Sequence, residues 1–310
     1  MRIIYMGTPD FAIPPLEKLV AAGHQVAAVI TQPDRPRQRG KVCTPTPVKS
    51  RSLELGLPVY TPEKVNTPEV LELLSNLKPD LLVVVAYGQF LSEKLFTLPP
   101  YGAVNIHASL LPAYRGAAPI HWAILHGESR TGVTIMYIDK GMDSGDMILR
   151  QETEIGPEED TGSLHDRLSQ MGADLLLQAI EQIHTGTVVR IPQDPKAATL
   201  APMLRKEQER VDWTQSAQTI HDQIRGLHPW PGCYTTWQGK RLKLHASRVQ
   251  NQSAPAHPGQ ILEISSQGIT VACGQDCLRL IQVQPEGKAV MEASAFIRGY
   301  HPLVGQILGE

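Results

Sequence analysis

The sequence is poor in cysteine and in long apolar runs, and each shortage excludes a class of protein. Its 310 residues contain four cysteines, which are too few and too scattered for a disulfide framework: Cys43, Cys233, Cys273 and Cys277. No histidine accompanies Cys273 and Cys277, so we expect ordinary thiols in a reducing compartment and no bound metal. No stretch reaches the ~18 consecutive apolar residues of a membrane-spanning helix.

Other signals are also lacking. The opening MRIIYMGTPDFA has no basic region followed by a long apolar run, so we expect no secretory signal and a cytoplasmic protein. MGTPDF lacks the second and third glycines of a dinucleotide-binding turn, which argues against a nicotinamide cofactor. The net charge of −2 neither requires nor excludes a polyanionic partner, because a local basic patch can lie within a nearly neutral total.

The pattern of short apolar runs and helical stretches predicts two domains. Apolar runs such as residues 2–6, 27–31 and 80–86 alternate with helical patterns up to a long amphipathic helix over residues 163–186. This alternation predicts an α/β, doubly wound, Rossmann-like domain with a largely parallel sheet over residues 1–187.

After Gly186 the pattern changes. Residues 188–206 are polar and proline-rich, which predicts a linker. One helix over 216–227 follows, and then short strands separated by turn signals such as Gln238-Gly239. We therefore expect a small, OB-like β-barrel over residues 207–310.

Two polar residues interrupt the buried strand of residues 103–108. Alternate side chains of a strand point to the same face, so Asn105 and His107 share a face while Ile106 points away. Asp143 follows the next strand, on a tight loop between Gly141 and Gly145. Because ligands gather at the carboxyl ends of strands in a wound sheet, we expect the three side chains to converge at its open rim.

An amide, an imidazole and a carboxylate suit acyl transfer to an amine. Asn105 and His107 would donate hydrogen bonds to the oxygen that becomes negative during attack on a carbonyl. Asp143 would orient or charge the imidazole, or accept the proton of the amine through water. An amine is itself nucleophilic, so no serine or cysteine is required. The alternative is that His107 is a satisfied core residue and Asn105 caps a turn.

Several separated motifs together carry a family resemblance. NIHASLLPAYRG, GVTIMYIDKGMDSGDMI, TQPDRPRQRGKVCTPTPVK and VVVAYGQFL occur in order, followed by DWTQSA and HPWPG near the C-terminal end. The chain resembles the folate-dependent formyltransferases over essentially its whole length. The resemblance implies 10-formyltetrahydrofolate as the formyl donor and the methionine amino group of a charged initiator tRNA as the acceptor. We expect a monomer.

The resemblance also implies site residues. Asn105, His107 and Asp143 match the catalytic trio of the family, and residues 109–112 match its folate-contacting turn. In that turn, which consists of Ser109, Leu110, Leu111 and Pro112, we expect the two leucines to form an apolar wall for a pterin ring.

A basic insertion indicates contact with RNA. Its cations are suited to phosphates and exposed bases, and the resemblance assigns them to the tRNA acceptor stem: Arg35, Arg37, Arg39 and Lys41. A broader electrostatic contact is expected from the second domain, through Lys206, Lys240, Arg241 and Lys243. We expect its aromatic residues to serve mainly as core anchors; they are Trp213, Trp230, Tyr234 and Trp237.

Two alternatives remain at this point. The first is a formyltransferase that acts on a small amine, for which the basic insertion and the appended barrel would be superfluous. The second is a non-catalytic RNA-binding protein on an enzyme scaffold, against which the intact trio argues.

Overall fold

The computed structural model describes residues 1–36, 43–252 and 256–310. Its helices are α1 Ile13–Ala21, α2 Pro47–Glu54, α3 Pro68–Asn76, α4 Glu93–Phe96, α5 Pro119–Leu125, α6 Thr161–Thr185, α7 Ala217–Gly226 and α8 Ala293–Tyr300. Its first strands are β1 Arg2–Gly7, β2 Gln25–Ile30, β3 Arg35–Pro36, β4 Cys43–Thr44, β5 Val59–Tyr60, β6 Leu81–Val85, β7 Ala103–His107, β8 Arg115–Gly116, β9 Arg130–Tyr137 and β10 Met147–Glu154. The later strands are β11 Leu200–Ala201, β12 Cys233–Trp237, β13 Lys240–Gln250, β14 Ile261–Ser265, β15 Gly268–Ala272, β16 Cys277–Pro285 and β17 Met291–Glu292.

The chain forms two compact units that interleave along the sequence. The first unit consists of Met1–Gly116, Gly132–Thr153 and His165–Ala201. The second unit consists of Ala117–Thr131, Glu154–Leu164 and Pro202–Glu310. The domain boundaries predicted from the sequence stay a prediction. In the part of the chain that the structure describes, no helix is both long and apolar enough to cross a membrane.

The first unit is built on a wound sheet, as predicted. Among the described residues, seven strands lie in the order β10-β9-β7-β6-β1-β2-β5. The pairs from β5 through β7 are parallel, and all five residues of β6 are buried because the sheet is covered on both faces. The pair β7–β9 is antiparallel, with Val104 opposite Tyr137 and His107 opposite Thr134. The sheet is therefore mixed at this edge.

Helix α6 covers one face of β7. A Cβ added at Gly172 would lie 2.8 Å from Ile106 Cγ2, so the backbone of α6 approaches this strand closely. Ile106 therefore points toward the helix, as the alternation of the strand predicts. Asn105 and His107 project from the other face of β7.

The second unit is an antiparallel, barrel-like sheet. Its strand order is β12-β13-β16-β15-β14, and β17 pairs with β16. Helix α7 packs against β13. The core contains Trp213, Trp237 and Phe296, and the rings of the last two lie 5.1 Å apart. Trp213 and Trp237 are thus core anchors as predicted, whereas Trp230 is 44% exposed.

Candidate active site

The imidazole of His107 makes one hydrogen bond and lies near one carboxylate. Its Nε2 lies 2.9 Å from the carbonyl oxygen of Tyr114, and its Nδ1 lies 3.6 Å from Oδ2 of Asp143. Because a carbonyl oxygen only accepts, Nε2 carries the proton in this bond. His107 is 5% exposed. The expectation of an imidazole at an open rim is therefore wrong, because the Tyr114 carbonyl and the Asp143 loop cover the ring.

Asp143 reaches His107 by a different route from the one predicted. Because β9 runs antiparallel to β7, the loop leaves β9 where β7 begins, with Ile138 N bonded to the carbonyl of Ala103. The prediction that the loop lies at the carboxyl end of β7 is wrong, since it assumed a parallel strand. The loop folds back, and the carboxylate of Asp143 does come close to the ring of His107.

The Asp143 loop adopts a demanding backbone conformation. Asp143 has φ +47°, in the left-handed region that non-glycine residues rarely enter. A Cβ on Gly145 would lie 1.9 Å from the carbonyl oxygen of Tyr137, so only glycine fits there. The backbone N–H of Gly116 donates to Oδ2 of Asp143 at 2.9 Å. The Gly116 N–H therefore fixes the carboxylate, whose Oδ2 also lies 3.6 Å from Nδ1 of His107.

Asn105 lies on β7, one full alternation before His107. It is opposite Met136 of β9 and pairs with Val84 of β6. Unlike His107, Asn105 is partly exposed. Of the two predicted oxygen-binding donors, Asn105 is therefore the more accessible.

The turn after β7 is locked by hydrogen bonds to Thr134. The Thr134 hydroxyl donates to the Ser109 carbonyl at 2.7 Å and accepts from the N–H of Leu111 at 3.1 Å. Ser109 Oγ itself donates to the Ala113 carbonyl at 2.6 Å. Thr134 on β9 thus fixes the path of the chain through residues 109–111.

The prediction of an apolar wall made by two leucines is wrong for Leu111, because this side chain is buried in the core. Ser109 and Leu111 are completely buried, and Leu111 packs in a small core with Met136 and Met147. The side chain of Leu111 is therefore not available as a wall for a ligand. Leu110 and Pro112 are partly exposed and are the members of the turn that a ligand can touch.

Comparison with known proteins identifies the family. Residues 1–180 match the family described as formyl transferase, and residues 203–301 match the family described as formyl transferase, C-terminal domain. The chain belongs to the formyl transferase family. It is therefore an enzyme that transfers formyl groups, and its fold is a Rossmann-like unit with a barrel-like C-terminal unit.

Relatives match this formyl transferase along its full length. The methionyl-tRNA formyltransferase of Moorella thermoacetica is 51% identical over 309 residues, covering 100% of this chain and 99% of the relative. That of Citrifermentans bemidjiense is 48% identical over 310 residues, covering 100% and 97%. The solved structure of HypX from Aquifex aeolicus in complex with tetrahydrofolic acid gives a TM-score of 0.67 at 17% identity, covering 99% of this chain and 48% of HypX. At that identity the likeness shows the fold.

The predicted RNA-contacting residues of the formyl transferase fall into separate groups. Arg35 is exposed and forms an ion pair with Glu63 at 2.8 Å. Arg37, Arg39 and Lys41 lie outside the described residues. Lys206 is exposed in a short 3₁₀ turn over Lys206–Glu209.

The remaining cations lie on one hairpin of the second unit. Lys240 and Arg241 are exposed at the start of β13, and Lys243 is partly exposed. The guanidinium of Arg241 stacks over the Tyr234 ring at 3.9 Å from its centroid. Tyr234 is therefore a surface residue that supports a cation, and the expectation of a core anchor is wrong for it, because it points outward on β12.

Sequence reasoning missed the groups that hold the site together. They are the Tyr114 carbonyl, the Gly116 N–H, the Thr134 hydroxyl and the side chain of Gln193. The first two are backbone groups of AYRG, and side-chain letters carry no signal for the partners of a backbone group. Gln193 lies in the predicted linker, where a single glutamine among polar residues gives no signal.

Proposed function

We propose that this formyl transferase moves the formyl group of 10-formyltetrahydrofolate to the α-amino group of methionyl initiator tRNA. The N10–formyl bond would break as the new N–formyl bond forms, and one proton of the amine would pass to N10. The products would be tetrahydrofolate and N-formylmethionyl-tRNA for translation initiation, formed by a monomer in the cytoplasm. The observation that carries the proposal is the full-length match, at 51% and 48% identity, to relatives named methionyl-tRNA formyltransferase.

Two observations support folate as the donor. Leu110 and Pro112 offer partly exposed apolar surface directly after β7, which suits a flat pterin ring. HypX, which shares the fold, binds tetrahydrofolic acid. When bound, 10-formyltetrahydrofolate supplies a formyl group on nitrogen. Leu110 and Pro112 would hold the ring system on the side of β7 that carries Asn105.

We assign the oxygen-stabilising role first to Asn105. Its side-chain N–H donates to the formyl oxygen as that oxygen becomes negative, and one such donor contributes about 10²–10³ in rate. His107 adds a second donor from Nε2 when the ring exchanges the Tyr114 carbonyl for the substrate oxygen. Asp143, held by the Gly116 N–H, orients the imidazole during this exchange.

We assign tRNA contact to the basic residues of both units. The insertion would meet the acceptor stem through Arg35, Arg37, Arg39 and Lys41. The second unit would add phosphate contacts through Lys206, Lys240, Arg241 and Lys243. Arginine suits this role because its planar guanidinium pairs with phosphates and stacks on exposed bases.

One assay tests substrate and chemistry together. The purified protein is mixed with 10-formyltetrahydrofolate and either methionyl-tRNA or free methionine, and formylated product is measured. We expect product from the charged tRNA only. Asn105→Ala and His107→Ala should each lower kcat by about 10²–10³ with little change in tRNA affinity, because they act on the reacting atoms.

Two results would contradict the proposal. Product from free methionine or another small amine, at a rate equal to that with charged tRNA, would favour the small-amine alternative. If His107→Ala lost tRNA affinity and activity together while its unfolding midpoint stayed at the wild-type value, His107 would not act in the chemistry.

A further inference from the structure

Gln193 is buried, and both ends of its side-chain amide form hydrogen bonds. It is 9% exposed, although it lies in the segment predicted to be a linker. Its Nε2 donates to two carbonyl oxygens, those of Asp143 and Gly145, each at 2.8 Å. Its Oε1 accepts from Arg115 Nε at 3.0 Å and from Nη2 at 2.7 Å. Both amide protons and the amide oxygen are thus engaged.

The chemistry of these partners fixes which way the amide points. A guanidinium only donates, so the oxygen of Gln193 must face Arg115. Backbone carbonyls only accept, so the nitrogen must face Asp143 and Gly145. If the amide were reversed, its NH2 group would face the N–H donors of Arg115, and its oxygen would face the two carbonyl oxygens. One orientation of Gln193 therefore satisfies all four hydrogen bonds.

Gln193 binds next to both partners of the hydrogen bond between the Gly116 N–H and the Asp143 carboxylate. On one side, Arg115 precedes Gly116, whose N–H donates to Oδ2 of Asp143. On the other side, Gln193 binds the backbone of Asp143 itself. The loop has a left-handed residue at Asp143, a conformation that persists only when its surroundings enforce it. Gln193 supplies two such restraints from outside the loop.

The same segment of chain also supports the other acceptor of His107. Thr199 Oγ1 accepts from the N–H of Tyr114 at 2.8 Å, and the Thr199 carbonyl accepts from the N–H of Arg115 at 2.9 Å. Tyr114 is the residue whose carbonyl accepts from His107 Nε2. The segment is itself fixed to the sheet, because Ile191 and Met147 exchange two backbone hydrogen bonds of 2.9 Å.

We propose that Gln193 is a positioning residue for formyl transfer. It sets the backbone of the Asp143 loop, so that the carboxylate stays against the ring of His107 while that ring exchanges its Nε2 partner. This inference rests on the roles proposed above for His107 and Asp143. Misplacement of a catalytic group by about 1 Å can cost on the order of 10² in rate, so the effect should appear in kcat.

Two substitutions at Gln193 test the inference. Gln193→Glu keeps an oxygen for Arg115 but replaces the donor with an acceptor that faces two carbonyls. Gln193→Met keeps the length and removes every hydrogen bond, and serves if the first variant unfolds. We expect kcat to fall about 10- to 100-fold in each, with the KM for methionyl-tRNA within about 3-fold of wild type. Gln170→Glu, on the exposed side of α6, is the matched control and should keep wild-type kinetics.

A double-mutant cycle separates positioning from general destabilisation. If Gln193 acts through Asp143, its substitution should add less than about 3-fold to the loss already caused by Asp143→Ala. The inference would be overturned if the loss of kcat in the double variant equalled the product of the two single losses. It would also be overturned if the Gln193 variants kept wild-type kcat while Asp143→Ala was impaired. An active Asp143→Ala would instead refute the proposed role of Asp143, and the positioning route through it as well.

Discussion

The four cysteines lie in different environments. Cys43 is exposed, whereas Cys233, Cys273 and Cys277 are buried. Burial raises the pKa of the Cys273 thiol to about 12, and the nearby Cys277 and Asp276 add to that rise. Burial also raises the pKa of the Cys277 and Cys233 thiols. Because the thiolate is the reactive form, a raised pKa makes a thiol inert at neutral pH.

We therefore predict that one cysteine reacts rapidly in the folded protein. At pH 8 a pKa of about 12 leaves on the order of 10⁻⁴ of Cys273 as thiolate, so a disulfide reagent should release one fast equivalent from Cys43. The other three thiols should react only after denaturation. Cys43→Ser should abolish the fast phase, and any fast equivalent that remains in that variant would contradict the assigned burial.

At the residue scale, strand alternation predicted the direction in which side chains point but not what surrounds them. Asn105 and His107 share a face of β7 as predicted, because a two-residue period depends only on backbone geometry. The carboxylate beside that face comes from Asp143, which lies 36 positions after His107 in the chain. Strand alternation therefore predicted the face that Asn105 and His107 share, and did not predict the burial of His107 or of Leu111.

At the element scale, helix α6 and strand β7 fit closely at one glycine. Gly172 leaves no room for a side chain, since a Cβ would lie 2.8 Å from Ile106 Cγ2 and 3.4 Å from Val133 Cγ1. Both neighbours are buried side chains of the sheet. The side chains on the opposite face of β7 include those of the candidate site, so this contact sets the position of the strand that carries them.

We predict that alanine has opposite effects at two helical glycines. Gly172→Ala should lower the free energy of unfolding by about 1 kcal/mol, because overpacking outweighs the gain in helix propensity. Gly299→Ala, in α8, adds a Cβ that meets nothing within 4 Å, and should raise it by about 0.5 kcal/mol. Denaturant unfolding of both variants checks the signs. Equal shifts would contradict the close contact at Gly172.

Elements with a long periodic pattern were predicted well, and short or directional features were not. The helix predicted over 163–186 is α6, at Thr161–Thr185, and the strand predicted over 103–108 is β7. The antiparallel direction of β9 was missed because an apolar run reads the same in either direction. Strand β11, in the predicted linker, has two residues and so shows no period.

At the scale of the whole molecule, charge is distributed unevenly while its total is near zero. The net charge is −2, yet Lys240, Arg241 and Lys243 lie together along the start of β13. Arg241 and Lys243 are two residues apart on one strand, so they point to the same face. A polyanion would meet this local group of cations rather than the average charge of the protein.

Binding of methionyl-tRNA should weaken as the salt concentration rises. Removing one phosphate contact should raise the KM for methionyl-tRNA and reduce the slope of log affinity against log salt by about 1, because one counterion fewer is released. We expect this of Arg241→Gln, with folate binding unchanged. Lys288→Gln, at an exposed site of the same unit, removes the same charge and is the matched control. An equal effect in both variants would mean that net charge, and not a contact at Arg241, governs the binding of tRNA.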